Sequence, residues 1–118
     1  MNIDIDGLIE LAKKATPGFW SHRGMGVIKA GPVIEFSNGS DQQQIFMATG
    51  AEWMRHGEKE ANANFVSAVN PATILALCER LREAESAMKL SLKLLQDGEV
   101  DSAIDQIEEA LNPEVSDE

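Results

Sequence analysis

The amino-acid sequence predicts an α+β protein: an N-terminal helix, a small antiparallel meander of three or four strands, and two to three C-terminal helices that include a helical hairpin. Two observations support this class. Apolar residues recur at spacings of three and four near both ends of the chain, which is typical of amphipathic helices. Between residues 19 and 48, β-branched and aromatic residues stand among glycines, as in short strands joined by tight turns.

The length of 118 residues sets the domain organisation, because it matches the size of one domain. We expect residues 1–96 to form a single α+β domain. Residues 97–118 would add an acidic helix and a short tail, which pack on that domain or extend from it.

The first predicted element is a helix over residues 3–15, whose start Asp4 or Asp6 can cap. Thr16-Pro17-Gly18 ends it, because proline keeps the preceding residue away from helical angles and glycine permits a sharp turn. This turn leads to Trp20, which we expect to pack where the first helix meets the sheet.

The strands follow as a meander. Gly31-Pro32 separates a strand at Val27–Ala30 from a second at Val33–Ser37. Asn38-Gly39 offers the pair of positive φ angles that a tight hairpin turn demands, and the partner strand would run through Gln43–Ala48. The next segment, residues 49–60, fits a helical turn or a loop equally well.

The chain is predicted to be helical from Glu58 onward. Asn70 can cap a new helix that Pro71 opens, and Asp97-Gly98 breaks that helix. The pattern leaves open whether it runs unbroken or folds back near Glu85–Ala87. A last helix follows, and its carboxylates should point outward while four apolar residues point inward: Val100, Ile104, Ile107 and Leu111.

The negative charge lies at one end of the chain. The net charge is −10, and residues 97–118 contain nine acidic residues and no Lys or Arg. Four of the acids would line one side of the last helix, where like charges three and four residues apart destabilise it slightly. We take these four acids as candidate residues for binding a basic surface of a partner: Asp101, Asp105, Glu108 and Glu109. The alternative is that they only keep the chain soluble.

No set of residues predicts catalysis, so we expect no enzyme, no cofactor and no metal site. Glu52 and His56 are four residues apart and form only half a metal site, with no nearby Cys or His to complete four ligands. Cys78 falls on the apolar side of a helix, which favours a buried hydrophobic residue over a nucleophile. The single cysteine, the absence of a long apolar run and the absence of a secretory signal favour a cytoplasmic protein.

Two motifs in this order resemble a known family. Ala15-Thr16-Pro17-Gly18-Phe19-Trp20 follows the first helix, and Ala61-Asn62-Ala63-Asn64-Phe65-Val66 leads into Asn70-Pro71-Ala72-Thr73-Ile74-Leu75-Ala76-Leu77. Over residues 8–84 they resemble the Ead family, the Ea-type accessory proteins of lambdoid phages and prophages. That family has no established enzymatic activity, so the resemblance implies a viral origin more than a mechanism, and the acidic end from Asp97 onward is not one of its hallmarks.

A second, local resemblance concerns the C-terminal hairpin. Residues 95–104, together with Ala110-Leu111-Asn112-Pro113, resemble the second half of a tetratricopeptide hairpin. Small Gly98 and Ala103 would let two antiparallel helices approach closely. One such unit cannot form a solenoid, since stable arrays need about three repeats.

The favoured function is that of a phage protein that inhibits or modulates a host protein in the bacterial cytoplasm, as counter-defence and anti-CRISPR proteins do. The acidic helix would cover a basic, nucleic-acid-binding surface, and Trp53 would anchor the interface if it is exposed. The alternative is a structural homodimer that uses the long helices. Direct binding of nucleic acid or membrane is disfavoured, because the net charge repels phosphate.

Overall fold

The computed structural model describes residues 2–112. The elements in chain order are α1 (Ile5–Lys14), β1 (Ser21–His22), β2 (Val27–Phe36), β3 (Gly39–Met47), α2 (Glu58–Ala68), α3 (Pro71–Gln96) and α4 (Val100–Leu111). A helix, a three-stranded antiparallel sheet and three further helices confirm the predicted α+β class. The chain forms two compact units, residues 1–76 and residues 77–118. The predicted tail after residue 112 lies outside the described residues.

Helix α1 begins at a side-chain cap. The Asp4 carboxylate accepts a hydrogen bond from the backbone N–H of Gly7 at 2.9 Å, so Asp4 and not Asp6 is the capping residue. The helix ends at Lys14, two residues before the Thr16-Pro17 step that was predicted to stop it.

The sheet has the strand order β1-β2-β3, and both pairings are antiparallel. The two strands predicted on either side of Gly31-Pro32 are in fact one strand, β2, with a register irregularity between Ala30 and Ile34. Gly31 has a φ of +89°, and Pro32 has no N–H for the ladder, so both fit a bulge better than regular pairing. The dipeptide therefore bends a strand and does not end it.

The β2–β3 hairpin turns one residue earlier than predicted. Phe36 pairs with Gly39, which leaves Ser37 and Asn38 as the two loop residues. Gly39 has a φ of +142°, whereas Asn38 keeps a negative φ. The expected pair of positive φ angles at Asn38-Gly39 was wrong, because the ladder extends to Gly39 itself.

The core of the first unit is small. Ile28, Ala48 and Ala63 are buried together, and the partly buried Trp20 and Val66 pack against them. The indole Nε1–H of Trp20 donates to the carbonyl of Thr16 at 2.9 Å, so the ring is anchored as well as packed. Trp20 thus packs on the core formed by the sheet and α2, not only at the end of the first helix.

Asn70 connects α2 to α3. Its Oδ1 accepts the N–H of Thr73 at 3.1 Å, and its Nδ2 donates to the carbonyl of Ser67 at 3.0 Å. Pro71 is the first residue of α3, where a missing N–H costs nothing. The predicted cap is confirmed, and the same side chain also closes the end of the preceding helix.

The second unit contains a helical hairpin. Helix α3 runs unbroken from Pro71 to Gln96, so the chain does not fold back near Glu85–Ala87. Gly98, at a φ of +80°, ends it: its N–H donates to the carbonyl of Leu95 at 3.1 Å, and the next N–H donates to Leu94 at 2.8 Å. A helical hairpin was predicted here, while its tetratricopeptide resemblance stays a prediction.

Small residues form the contact between the two helices. Ala87 and Ser91 of α3 and Ala103 of α4 are buried, with Ala103 only 1% exposed. Both helices line one groove, and only residues 97–99 join them, so the helices run antiparallel. The burial of these small residues shows that the two helices pack together, while the especially close approach expected from Gly98 and Ala103 stays a prediction.

The apolar row of α4 does not point inward. Its four residues are between 44% and 74% exposed: Val100, Ile104, Ile107 and Leu111. The inward orientation predicted for them was wrong. Ala103 is the buried residue of α4 instead, and the apolar row lies to one side of it around the helix.

Candidate functional site

The candidate binding surface is the outer side of α4. At 3.6 residues per turn, Asp101, Asp105 and Glu108 fall within about 60° of one another around the helix. All three side chains are exposed, and they lie on the opposite side of the helix from buried Ala103. The structure thus brings these three predicted residues together on one surface, which we call the acidic face.

Glu109, the fourth predicted carboxylate, lies at the margin of the acidic face. It lines a groove of about 260 Å³ between α3 and α4, together with Arg80, Glu83 and Gln106. Glu109 thus lines the same groove as a basic residue, Arg80, whereas Asp101, Asp105 and Glu108 do not line it.

The acidic face is not neutralised from within the described part of the chain. The ion pairs between described residues involve other carboxylates, such as Asp41 with Lys29 and Glu58 with Arg55. Helix α4 also has no basic residue in its last turn, although Glu108 lies there beside the negative end of the helix dipole. The negative potential is thus available to a partner.

Trp53 is in a different part of the protein. It lies in a turn of the first unit, closed by a hydrogen bond of 3.0 Å from the N–H of Met54 to the carbonyl of Ala51. The indole is 88% exposed, which resolves the open question about its burial. The structure places Trp53 and the acidic face on separate units.

A polar cluster on the sheet was not predicted. The Lys29 ammonium contacts both carboxylate oxygens of Asp41 at 2.7 and 2.8 Å, and the N–H of Gln42 donates to the same carboxylate at 2.8 Å. The Gln42 side chain donates to the Gly31 carbonyl at 2.7 Å and accepts from Arg23 at 2.8 Å. The cluster spans the β2 bulge and fixes its shape.

The hydrogen bond from Lys29, followed by that from the Gln42 N–H, holds the pKa of Asp41 below its ordinary value of 3.8. The pairing joins residues on neighbouring strands across a bulge. No spacing along the sequence signals it.

Both ring nitrogens of His22 have structural partners. Nε2 accepts the backbone N–H of Gly26 at 3.1 Å, so the ring proton is on Nδ1 and is donated to Oδ1 of Asn64 at 2.8 Å. This side chain ties β1 to α2. It has no nitrogen left for a ligand in this arrangement.

Glu52 and His56 do not share a helix. The segment ahead of Glu58 consists of turns, so the helical spacing on which half a metal site was based is absent. Within residues 2–112, no group of three or more His, Cys, Asp or Glu side chains is placed to hold a metal ion. Cys78 is buried, as its position on the apolar side of a helix predicted.

No helix in the described part of the chain has the length and apolar character that a membrane crossing requires.

Together these features define a small α+β protein with a helical hairpin whose charge is concentrated on one outer face. The chain belongs to the family described as Ead/Ea22-like protein, whose sequence profile matches residues 1–116. It is thus a phage accessory protein, as the two motifs indicated. The match extends past residue 84 and includes α4. Searches of the curated proteins and of the solved structures gave no match.

Proposed function

We propose that this phage accessory protein acts by binding, without catalysis, and that its acidic face docks on a basic surface of a host protein. The observation that supports this function is the grouping of Asp101, Asp105 and Glu108 on one exposed side of α4. Exposed carboxylates without counter-charges attract Lys and Arg on a partner and steer the encounter.

The chemistry of the partner follows from the charge. Proteins that hold nucleic acid have basic channels, because most of their affinity comes from neutralising phosphates. A negative helix that occupies such a channel excludes the nucleic acid. Inhibition of a nucleic-acid-binding defence complex, in the manner of an anti-CRISPR protein, is the function that fits best, and it would take place in the cytoplasm of the bacterial host.

The position of Glu108 supports binding over simple solubility. A carboxylate in the last turn of a helix opposes the helix dipole and repels its acidic neighbours, so it costs stability. A solubilising surface could place its charges at the first turn, where the dipole favours them. Acidic residues at this unfavourable end of the helix are expected if a partner binds them.

Trp53 is proposed as a second contact. Exposed indoles are the side chains that most often dominate interfaces, because they bury a large apolar area and can donate one hydrogen bond. Since Trp53 lies on the other unit, its contribution is separable from that of the acidic face.

The test compares two triple variants with the same change in net charge. The first reverses the acidic face: Asp101→Lys, Asp105→Lys and Glu108→Lys. The control reverses three exposed acids of the first unit: Glu10→Lys, Glu35→Lys and Glu60→Lys. Wild-type protein on a column captures host proteins, which are identified, purified and titrated against each variant at low and high salt.

We expect the first variant to lose the captured partner and the control to retain it. Wild-type affinity should fall as salt rises, because screening shortens the reach of exposed charges to about 8 Å at physiological ionic strength. Equal affinity of the wild type and the acidic-face variant for every captured protein would rule the proposal out.

A further inference from the structure

We infer that the α3–α4 hairpin pairs with a second copy of itself through an apolar face, forming an antiparallel four-helix bundle. The hairpin face consists of Leu81, Met88 and Leu95 of α3 and Ile104, Ile107 and Leu111 of α4. All six belong to the second compact unit, and they are between 41% and 74% exposed. This inference goes beyond the proposed function, because the hairpin face is apolar; it adjoins the acidic face, whose Asp101 and Glu108 lie along one of its edges.

The spacing of these residues is that of a bundle seam. On α3 they recur every seven residues, and on α4 they are separated by three and four. Such spacing keeps the side chains on one line along a helix and suits packing against partner helices. In a lone chain, this line has no helix of its own unit to cover it, since α3 and α4 meet through Ala87, Ser91 and Ala103.

The two rows point the same way. Viewed along each helix axis, the apolar row is rotated by roughly 80–100° from the side that faces the other helix. On both helices this rotation has the same sense, that of increasing residue number. Because α3 and α4 run antiparallel, equal rotations from their mutual contact bring both rows to the same side of the hairpin. The result is one continuous apolar surface two helices wide.

The size of the face suits a dimer. From Leu81 to Leu95 the row spans about 21 Å, and two helices side by side span roughly 20 Å. That gives about 400 Å² in flat projection, within the range of the largest apolar patches on monomers, and the side chains present a larger accessible area. A stable dimer needs about 800 Å² from each partner, so the charged residues along the two edges must be buried together with the apolar rows.

The charges along the two edges identify the occupant as a second copy. The outer side of α3 has Lys89 and Lys93, together with Arg82, whose charge is paired with Glu85 at 3.6 Å; the outer side of α4 has Asp101 and Glu108. Lys89 and Lys93 therefore give one long edge of the hairpin face a positive charge, and Asp101 and Glu108 give the other a negative charge. A twofold rotation about an axis parallel to the helices places each α4 against the partner's α3, and opposite edges then meet.

The first test measures mass in solution. Analytical ultracentrifugation of the full chain should give about twice the 12.9 kDa of one chain. Ile104→Glu on α4 and Met88→Glu on α3 should each raise the dissociation constant by roughly a hundredfold, because a symmetric interface contains every substitution twice. Ile34→Glu, at a similarly exposed apolar position on the sheet, is the control and should leave the mass unchanged.

Circular dichroism at each concentration separates dissociation from unfolding, and both hairpin variants should keep their helical signal as monomers. A wild-type mass of one chain at all concentrations would overturn the inference. So would a dimer that survives both hairpin substitutions, since another segment or surface would then hold it together.

The second test addresses the orientation. Lys89→Glu and Glu108→Lys should each weaken the dimer, and their combination should restore it, because the two edges exchange signs together. If neither single reversal changes the dissociation constant, the edge-to-edge arrangement is wrong. Glu108→Lys changes the acidic face as well, so host binding is scored on monomeric Ile104→Glu and Met88→Glu, which leave Asp101, Asp105 and Glu108 in place. A failure of the dimer and a failure of the host-binding function are then distinguished.

Discussion

At the scale of single residues, Asn70 is the side chain on which two helices depend. It is 4% exposed and satisfies backbone groups at the end of α2 and at the start of α3. We expect Asn70→Ala to lower the free energy of unfolding by about 1–2 kcal/mol, because the cap and a buried partner are both lost. Urea denaturation measures this.

Asn112→Ala is the matched control for that change. The Asn112 side chain is exposed and makes one hydrogen bond, to the carbonyl of Glu108 at 3.1 Å. Its loss should cost clearly less than the loss of Asn70. Equal effects of the two substitutions would mean that Asn70 acts only as an ordinary helix-end residue.

Asp41 makes part of the stability depend on acidity. Its pKa is lowered in the folded protein, chiefly by the hydrogen bond from Lys29, so its contribution is present above the ordinary value of 3.8 and is lost as the pH falls through the lower folded value. The melting temperature of the wild type should exceed that of Asp41→Asn at neutral pH, and the gap should close below about pH 3.8. Lys29→Gln should reproduce this behaviour; a gap that stays constant with pH would contradict it.

The roles of single residues could be predicted from the sequence where those residues act on their close neighbours in the chain. Asn70-Pro71 and Asp4 cap helices a few residues away, so their roles could be predicted from chain neighbours alone. The contacts of Lys29 with Asp41 and of His22 with Asn64 join distant residues across the sheet. They depend on strand register, which a bulge at Gly31-Pro32 shifts, and no spacing rule anticipates that.

At the scale of elements, α4 combines an exposed acidic face with an unfavourable helix end. We expect Glu108→Lys and Glu109→Lys to stabilise the protein by roughly 0.3–1 kcal/mol each, because a cation in the last turn interacts favourably with the helix dipole. Thermal denaturation at low salt measures the gain.

The same two substitutions give a functional readout. If the acidic face binds a basic partner, Glu108→Lys should stabilise the chain and weaken binding together, whereas Glu109→Lys, in the groove, should affect binding less. Asp101→Lys is the control at the opposite end of the helix, where a cation opposes the dipole and should destabilise α4. A stability gain with full binding by both Glu variants would favour a face that only confers solubility.

Periodicity located each helix within residues 2–112 but assigned the faces of α4 wrongly. Four large apolar residues at helical spacing read as the buried side, because burial is their usual environment. The buried residue of α4 is instead Ala103, which is 1% exposed. Hydrophobic spacing identifies the side of a helix that favours burial. It does not tell whether the same chain or another chain buries that side.

At the scale of the whole molecule, the predicted division at residue 96 leads to a truncation experiment. A chain that ends at Gln96 loses α4 and with it the acidic face, half of the hairpin face and the cover over Ala87 and Ser91. We expect the first unit to stay folded, because its core of Ile28, Ala48 and Ala63 lies entirely before residue 77. The truncated chain should be a monomer without salt-sensitive binding.

Near-ultraviolet dichroism and sedimentation check this expectation. The anchored Trp20 should keep its asymmetric signal while the sedimentation coefficient falls to that of one chain. Full host binding by the truncated chain would move the binding surface into the first unit, with Trp53 as the first residue to replace.

The two tryptophans provide this protein with separate optical reporters. There is no tyrosine in the chain, so Trp20 and Trp53 account for nearly all of its near-ultraviolet fluorescence. One indole is held against a small core by its hydrogen bond to Thr16, and the other is almost fully hydrated. In Trp53→Phe the emission reports only on folding, and in Trp20→Phe it reports only on what approaches the Ala51–Met54 turn. The emission wavelength of the two single-tryptophan variants can therefore follow unfolding and docking separately, without an added label.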